Sequence, residues 1–120
     1  MKPTESEMEI LQLLWKHGEL SVREVHEQLL KKDVGYTSTL KLMQIMLEKG
    51  LVQRDTSSKT HVYKAQIEKE DTQGQFLNRM IETVYNGNTA RLVMQALGNE
   101  RTSQEEINEI KDFLKKLEQQ

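Results

Sequence analysis

Apolar residues recur at helical spacing from the start of the chain. Met8, Leu11, Leu14 and Trp15 follow Thr4 and Glu7, which form a T-x-x-E capping box, and His17-Gly18 closes the run. Glu19-Leu20 is a short extended link, after which Ser21 and Glu24 repeat the capping signature ahead of Val22, Val25, Leu29 and Leu30. A polar connection, Lys31-Lys32-Asp33-Val34-Gly35, leads to a third helical run that opens at Tyr36-Thr37-Ser38-Thr39. Those hydroxyls suit an N-cap and leave small polar side chains at an exposed first turn. The run continues to Lys49, and Gly50 stops it. The period then shortens: Leu51 to Asp55 and Thr60 to Ala65 are β-type runs about a turn at Thr56-Ser57-Ser58-Lys59. A lone hairpin is marginal in water, so this one must lean on the helices. The expected fold class is therefore mainly α with a small β-hairpin: a winged helix-turn-helix over residues 1–66, with a recognition helix at 36–49 and a wing at 51–65.

Beyond the wing the pattern changes. Gln66 to Gln75 is polar and reads as a linker merging into a fourth helix, whose stripe is Phe76, Leu77, Met80, Ile81 and Val84 and whose stop is Tyr85-Asn86-Gly87-Asn88. A fifth helix carries Leu92, Val93, Ala96 and Leu97 up to Gly98-Asn99. A sixth starts at Thr102-Ser103, with Glu105 and Glu106 giving overlapping capping boxes, and places Ile107, Ile110, Leu114 and Leu117 in the a/d spacing of a coiled-coil seam. Short amphipathic helices need a surface to bury against. The expectation is that residues 67–120 form a three-helix dimerisation region using these apolar positions against a second copy; folding back onto the winged domain is the alternative.

Composition narrows the classes. A chain of 120 residues holds one compact domain or a small domain with a helical appendage. There is no cysteine, which excludes disulfides, thiolate chemistry and cysteine-based metal sites. No apolar run approaches membrane-spanning length, and Glu5, Glu7 and Glu9 stand where a signal peptide needs a basic start, so a cytoplasmic protein without membrane insertion is expected. The formal net charge of −2 is unfavourable for nucleic acid, but it is unevenly spread. From Lys31 to Lys64 seven basic residues face three acids, a balance of +4, whereas Gln66 to Gln120 carries seven against ten, a balance of −3. The positive segment is the recognition helix and wing.

Enzyme chemistry has no support. There is no P-loop, dinucleotide fingerprint, nucleophile elbow or H-E-x-x-H, and His17, His26 and His61 lack metal-ligand spacing, His26-Glu27 reading as no more than a surface pair. Met8, Met43, Met46 and Met80 lie on apolar stripes and read as core filling; Trp15 shares the apolar face of helix one. No cofactor or metal is expected. On the third helix Leu40, Met43, Met46 and Leu47 share the core side, and Thr37, Ser38, Lys41, Gln44 and Ile45 lie opposite. In isolation that polar face would read as merely solvated; the hairpin after it makes it a candidate DNA face. Thr37 and Ser38 suit phosphate or a base edge at a helix N-terminus, Lys41 and Gln44 are long donors for bases, and Arg54, Lys59, His61 and Lys64 project around the wing toward phosphate. The competing class is a winged-helix protein-interaction adaptor with an oligomerisation tail and no DNA binding.

Several strings, in order, resemble the penicillinase-repressor (BlaI/MecI/CopY) family of bacterial transcription repressors. They are Pro3-Thr4-Glu5-Ser6-Glu7-Met8-Glu9-Ile10 with Leu14-Trp15, Tyr36-Thr37-Ser38-Thr39-Leu40, Leu47-Glu48-Lys49-Gly50-Leu51-Val52, Val62-Tyr63, and Phe76-Leu77 through Leu92-Val93. The resemblance covers almost the whole chain. It implies a homodimeric repressor whose winged helices bind the halves of a palindromic double-stranded DNA operator, with an upstream membrane sensor protease as a further partner. In antibiotic-resistance members the tail is cut at an Asn-Phe bond, and Gln95-Ala96 stands there in this chain. Copper-responsive members carry a C-terminal cysteine cluster that this chain lacks, and Ile45 stands where an arginine is usual late in the third helix.

Overall fold

The computed structural model describes residues 2–29, 34–99 and 101–120. Its elements are α1 (Glu5–His17), α2 (Val22–Gln28), α3 (Tyr36–Glu48), β1 (Val52–Asp55), β2 (Val62–Ala65), α4 (Lys69–Val84), α5 (Thr89–Leu97) and α6 (Gln104–Glu118). Six helices and an antiparallel hairpin make the winged-helix class expected from the periodicity. The expected apolar Leu30 and the polar connection Lys31-Lys32-Asp33 lie outside the described residues. The chain divides into two compact units, residues 1–75 and 76–120, and the division falls inside α4. The polar stretch expected as a linker is thus helical from Lys69 onward; Asp71 and Glu70 in its first turn suit a helix N-terminus, and Gly74 sits within the helix.

Local chemistry explains the element ends. Thr4, Ser21 and Ser103 each cap a helix through a reciprocal box with Glu7, Glu24 and Glu106. The end of α3 is a Schellman turn: Gly50 N–H donates to Leu47 O at 3.1 Å, Leu51 N–H to Met46 O at 3.0 Å, and Gly50 takes φ of 80°. A side chain at Gly50 would strain that turn, and with it the angle at which the wing leaves the helix. Leu51 follows and is buried, so the helix stop also begins the core packing of the hairpin.

The core of the first unit is Ile10, Leu11 and Leu14 from α1, Val22 and Val25 from α2, Met43 and Met46 from α3, with Leu20, Leu29, Leu51, Val52 and Tyr63. Leu40 and Leu47 pack against it partly buried, as does Trp15, whose indole N–H donates to Ile67 O at 3.1 Å. Buried Tyr63 also exchanges backbone hydrogen bonds with Leu20 (3.0 and 2.8 Å), so the expected extended link is in fact a one-residue third strand beside β2. Two residues give no period from which to infer a bridge.

Glu7 does two jobs. Its carboxylate closes the Thr4 capping box and accepts two 2.9 Å hydrogen bonds from Lys49 Nζ, with only 1% of the Glu7 side chain exposed. Burial works against its ionisation, but the Thr4 N–H and the Lys49 ammonium outweigh this and hold the carboxyl below the usual range. A carboxyl depressed on folding stabilises the fold above its ordinary value of 4.5 and loses that contribution as pH falls through the folded value. The gap in thermal midpoint between wild type and Glu7→Gln should therefore be largest near neutrality and narrow below about pH 4.5. Thermal melts at about pH 7 and about pH 3 check this; a gap of constant size would contradict it.

Candidate nucleic-acid interface

The first turn of α3 is presented without a side-chain cap. Gly35 occupies the N-cap, so the hydroxyl residues do not cap the helix as expected. Thr37 and Ser38 instead sit one position or two inside the helix and are exposed, whereas Thr39 is buried, at 1% exposure, with its hydroxyl 2.9 Å from His26 Nδ1. His26 is accordingly not a simple surface residue. Its ring stands at right angles to Tyr36 with centroids 5.8 Å apart, and the Arg23 guanidinium lies over the Tyr36 ring, 4.8 Å from its centroid.

The residues expected to meet DNA fall on three surfaces. Gln44, Arg54, Lys59 and His61 come together in one groove of about 490 Å³, closed on its other side by Ser21, Val22 and Arg23 at the start of α2 and floored by Tyr36, Leu40 and Tyr63. Lys41, Ser38 and Ile45 lie on the far flank of α3, lining a second cavity of about 420 Å³ with Thr4, Ser6 and Glu9 of α1 and with Leu29 and Val34. Lys64 lies along the outer side of the hairpin with Glu19, Gln53 and Asp55. Thr37 lines none of these and is simply exposed.

The hairpin register explains the split. Val52 pairs with Ala65, Gln53 with Lys64, Arg54 with Tyr63 and Asp55 with Val62. Directly opposed residues share a face, and faces alternate along a strand. Val52, Arg54, Tyr63 and Ala65 therefore look toward the helices, and Gln53, Asp55, Val62 and Lys64 look away. Arg54 stays exposed on the inner face because it lies beyond the buried Val52, toward the loop. That carries its charge to the groove beside α3.

Charge is sorted along with geometry. Among the described residues, the groove between α2, α3 and the wing is lined by Arg23, Arg54, Lys59 and His61 and by no carboxylate. Asp55, the acid nearest the wing loop, is turned into it: its carboxylate accepts the Ser57 N–H at 2.9 Å, and that hydrogen bond, helped by the Ser57 side chain, holds the carboxyl below its ordinary value. The Asx turn shapes the loop, and Lys64 and then His61 add smaller contributions to the lowering. Arg23, Tyr36 and Thr60 belong to this groove and were not anticipated. Arg23 carries no apolar period, and Tyr36 adjoins Leu40 on a helical wheel; only a α2-to-wing approach marks them as lining.

The second unit has an unusual property. None of the described residues from 76 to 120 is buried. Among the residues expected to pair with a second copy, Phe76, Ile81, Leu92, Ile107 and Ile110 are partly covered, while Leu77, Met80, Val84, Val93, Leu114 and Leu117 are exposed. Phe113 was overlooked because it interrupts the a/d spacing; it is 59% exposed and widens the α6 stripe beside Ile110 and Leu117. The helices of this unit, of which α5 and α6 carry side-chain N-caps, bury no side chain among the described residues from 76 to 120 and present an apolar surface. The described residues contain no cluster of three or more metal-binding side chains, and no helix long and apolar enough to cross a membrane.

Comparison with known proteins adds independent information. The family model described as penicillinase repressor matches residues 3–116. A penicillinase repressor of Bacillus licheniformis is 29% identical over 116 residues, spanning 92% of this chain and 88% of that protein. The methicillin resistance regulatory protein MecI of Staphylococcus aureus (strain N315) is 26% identical over 112 residues, covering 92% and 91%. Among solved structures, a MarR family protein from Bacillus stearothermophilus superposes with a TM-score of 0.52 at 26% identity, over 99% of this chain and 75% of that one.

Proposed function

The chain belongs to the penicillinase repressor family and is a transcriptional repressor rather than an enzyme; from that premise we propose that it acts as a homodimer on a palindromic operator, reading duplex DNA with helix 36–49 and wing 51–65. The observation that supports this most directly is the groove beside α3, which gathers Arg54, Lys59 and His61 around Gln44 with no acid among the described residues of its lining. Phosphate contacts need local positive charge, whatever the net charge of −2. In this reading residues 1–66 are the DNA-binding domain and 67–120 the dimerisation region. A dimer places two reading heads on half-sites about one helical turn apart or a multiple of it.

Within this proposal the named residues divide by role. Thr37, Ser38, Lys41, Gln44 and Ile45 meet the major groove, with Lys41 and Gln44 as the long donors to bases; Arg54, Lys59, His61 and Lys64 meet the sugar–phosphate backbone. Ile45 offers only apolar contact, as to a thymine methyl. A membrane-bound sensor protease is the proposed upstream partner, acting on a chain that carries Gln95-Ala96 at the family's cleavage position.

Anisotropy titrations test the division. Lys41→Ala should lower affinity for the operator by about 1–3 kcal/mol while leaving random duplex little changed, and Lys59→Ala should weaken both alike and flatten the salt dependence. Equal losses from the two variants would overturn the roles. The first requirement is footprinting of the upstream region of the gene at low salt, where one two-fold symmetric protected site is expected. Absence of both protection and any salt-dependent retardation of random duplex would favour the protein-interaction adaptor.

A further inference from the structure

We propose that Arg23, at the start of α2, is an additional phosphate-contacting side chain of this interface and that Tyr36 is the residue that positions it; the inference rests on the DNA reading above. Arg23 is the second residue of α2, next to buried Val22, so its backbone is fixed by the core while its side chain is exposed. Its guanidinium lies 4.8 Å from the Tyr36 ring centroid. Stacking of this kind occupies the face of a guanidinium and leaves its in-plane N–H donors free for a phosphate.

The stack is itself anchored. Tyr36 meets the edge of His26 at 5.8 Å, and His26 is held by the buried Thr39 hydroxyl at 2.9 Å. This chain of contacts runs from α2 to the first turn of α3 and restrains a side chain that would otherwise sample many rotamers. A pre-positioned donor loses less freedom when it binds. Among the described residues no carboxylate lines the groove, and Lys59 and Arg54 line it from the wing. Cations therefore line this one groove from α2 and from the hairpin. Because Arg23 lies on α2, off the axis of the recognition helix, its match is the sequence-independent phosphodiester rather than a base.

The test is anisotropy with the chain's own upstream DNA and with random duplex of equal length, each across a salt series. Arg23→Ala should weaken binding to both duplexes by a similar factor, on the order of tenfold, and reduce the slope of log affinity against log salt by about 0.9. Tyr36→Phe, which keeps the ring, should match wild type, whereas Tyr36→Leu should weaken binding. In an Arg23→Ala background Tyr36→Leu should have no further effect, a non-additivity that a merely structural tyrosine would not produce. Arg23→Gln, with circular dichroism as a check of folding, serves if the alanine variant is unstable. Wild-type affinity and slope in folded Arg23 variants would overturn the inference while leaving the repressor reading intact. Absence of salt-dependent binding by the wild-type chain would instead overturn both.

Discussion

Leu114→Asp is expected to convert a dimer into a monomer of 14.0 kDa in sedimentation and to abolish tight operator binding. Leu114 is 51% exposed on α6, between Ile110 and Leu117 on the same stripe. An aspartate there costs the isolated chain little, since the residue is already half exposed and remains solvated. In a paired helix seam the same carboxylate would be desolvated without a partner, at several kcal/mol. The loss should be amplified at the DNA. Linking two reading heads makes the second half-site encounter intramolecular, and its removal lowers affinity roughly 10²–10⁴-fold without touching any DNA contact. Random duplex, where no symmetric pair of half-sites exists, should be affected less. A Leu114→Asp chain that remains dimeric at micromolar concentration would refute the seam. One that is monomeric yet protects both half-sites at wild-type concentration would refute the role of dimerisation.

Lys49→Met should destabilise the winged unit by about 2–3 kcal/mol, at or just below the low end of the range for breaking a buried ion pair because Lys49 is itself 22% exposed. Methionine keeps the apolar stem and removes only the ammonium, leaving the buried Glu7 carboxylate with the Thr4 N–H as its capping donor. For a unit of this size that corresponds to a fall of roughly 10–20 °C in thermal midpoint. The double variant Glu7→Gln with Lys49→Met should recover part of the loss, because a neutral amide can close the capping box without demanding a counter-charge. The pair also joins the first turn of α1 to the C-cap of α3, so its loss should loosen the seating of the recognition helix. A change within about 0.5 kcal/mol would show that water replaces the ammonium freely.

The expectations that held were those carried by local chemistry. Thr4 with Glu7 and Ser21 with Glu24 are capping boxes in the structure as in the chain, Gly50 ends α3, and Met43 and Met46 are buried as their spacing required. Each depends on residues within one or two helical turns. What the pattern missed depends on residues far apart: the Glu7–Lys49 pair, the bridge between Leu20 and Tyr63, and the indole of Trp15 on Ile67 O. His26 and Thr39 show the difference on a small scale. A histidine on a short helix and a threonine in a polar first turn look solvated, and only the crossing of α2 and α3 brings them within 2.9 Å.

The site divides along the same line. The sequence by itself determined the order of three helices and a wing, the basic balance of that segment, and the amphipathic stripes of the tail, because periodicity, caps and charge are properties of neighbouring residues. The tertiary structure decided which of those side chains share a surface. The strand register sends Arg54 inward and Lys64 outward, the rotation of α3 places Gln44 in the wing groove and Lys41 on the opposite flank, and the crossing of α2 brings Arg23 onto Tyr36. Residues 23, 36, 44, 54 and 59 meet only when three elements pack on one core, and no period along the chain encodes that meeting.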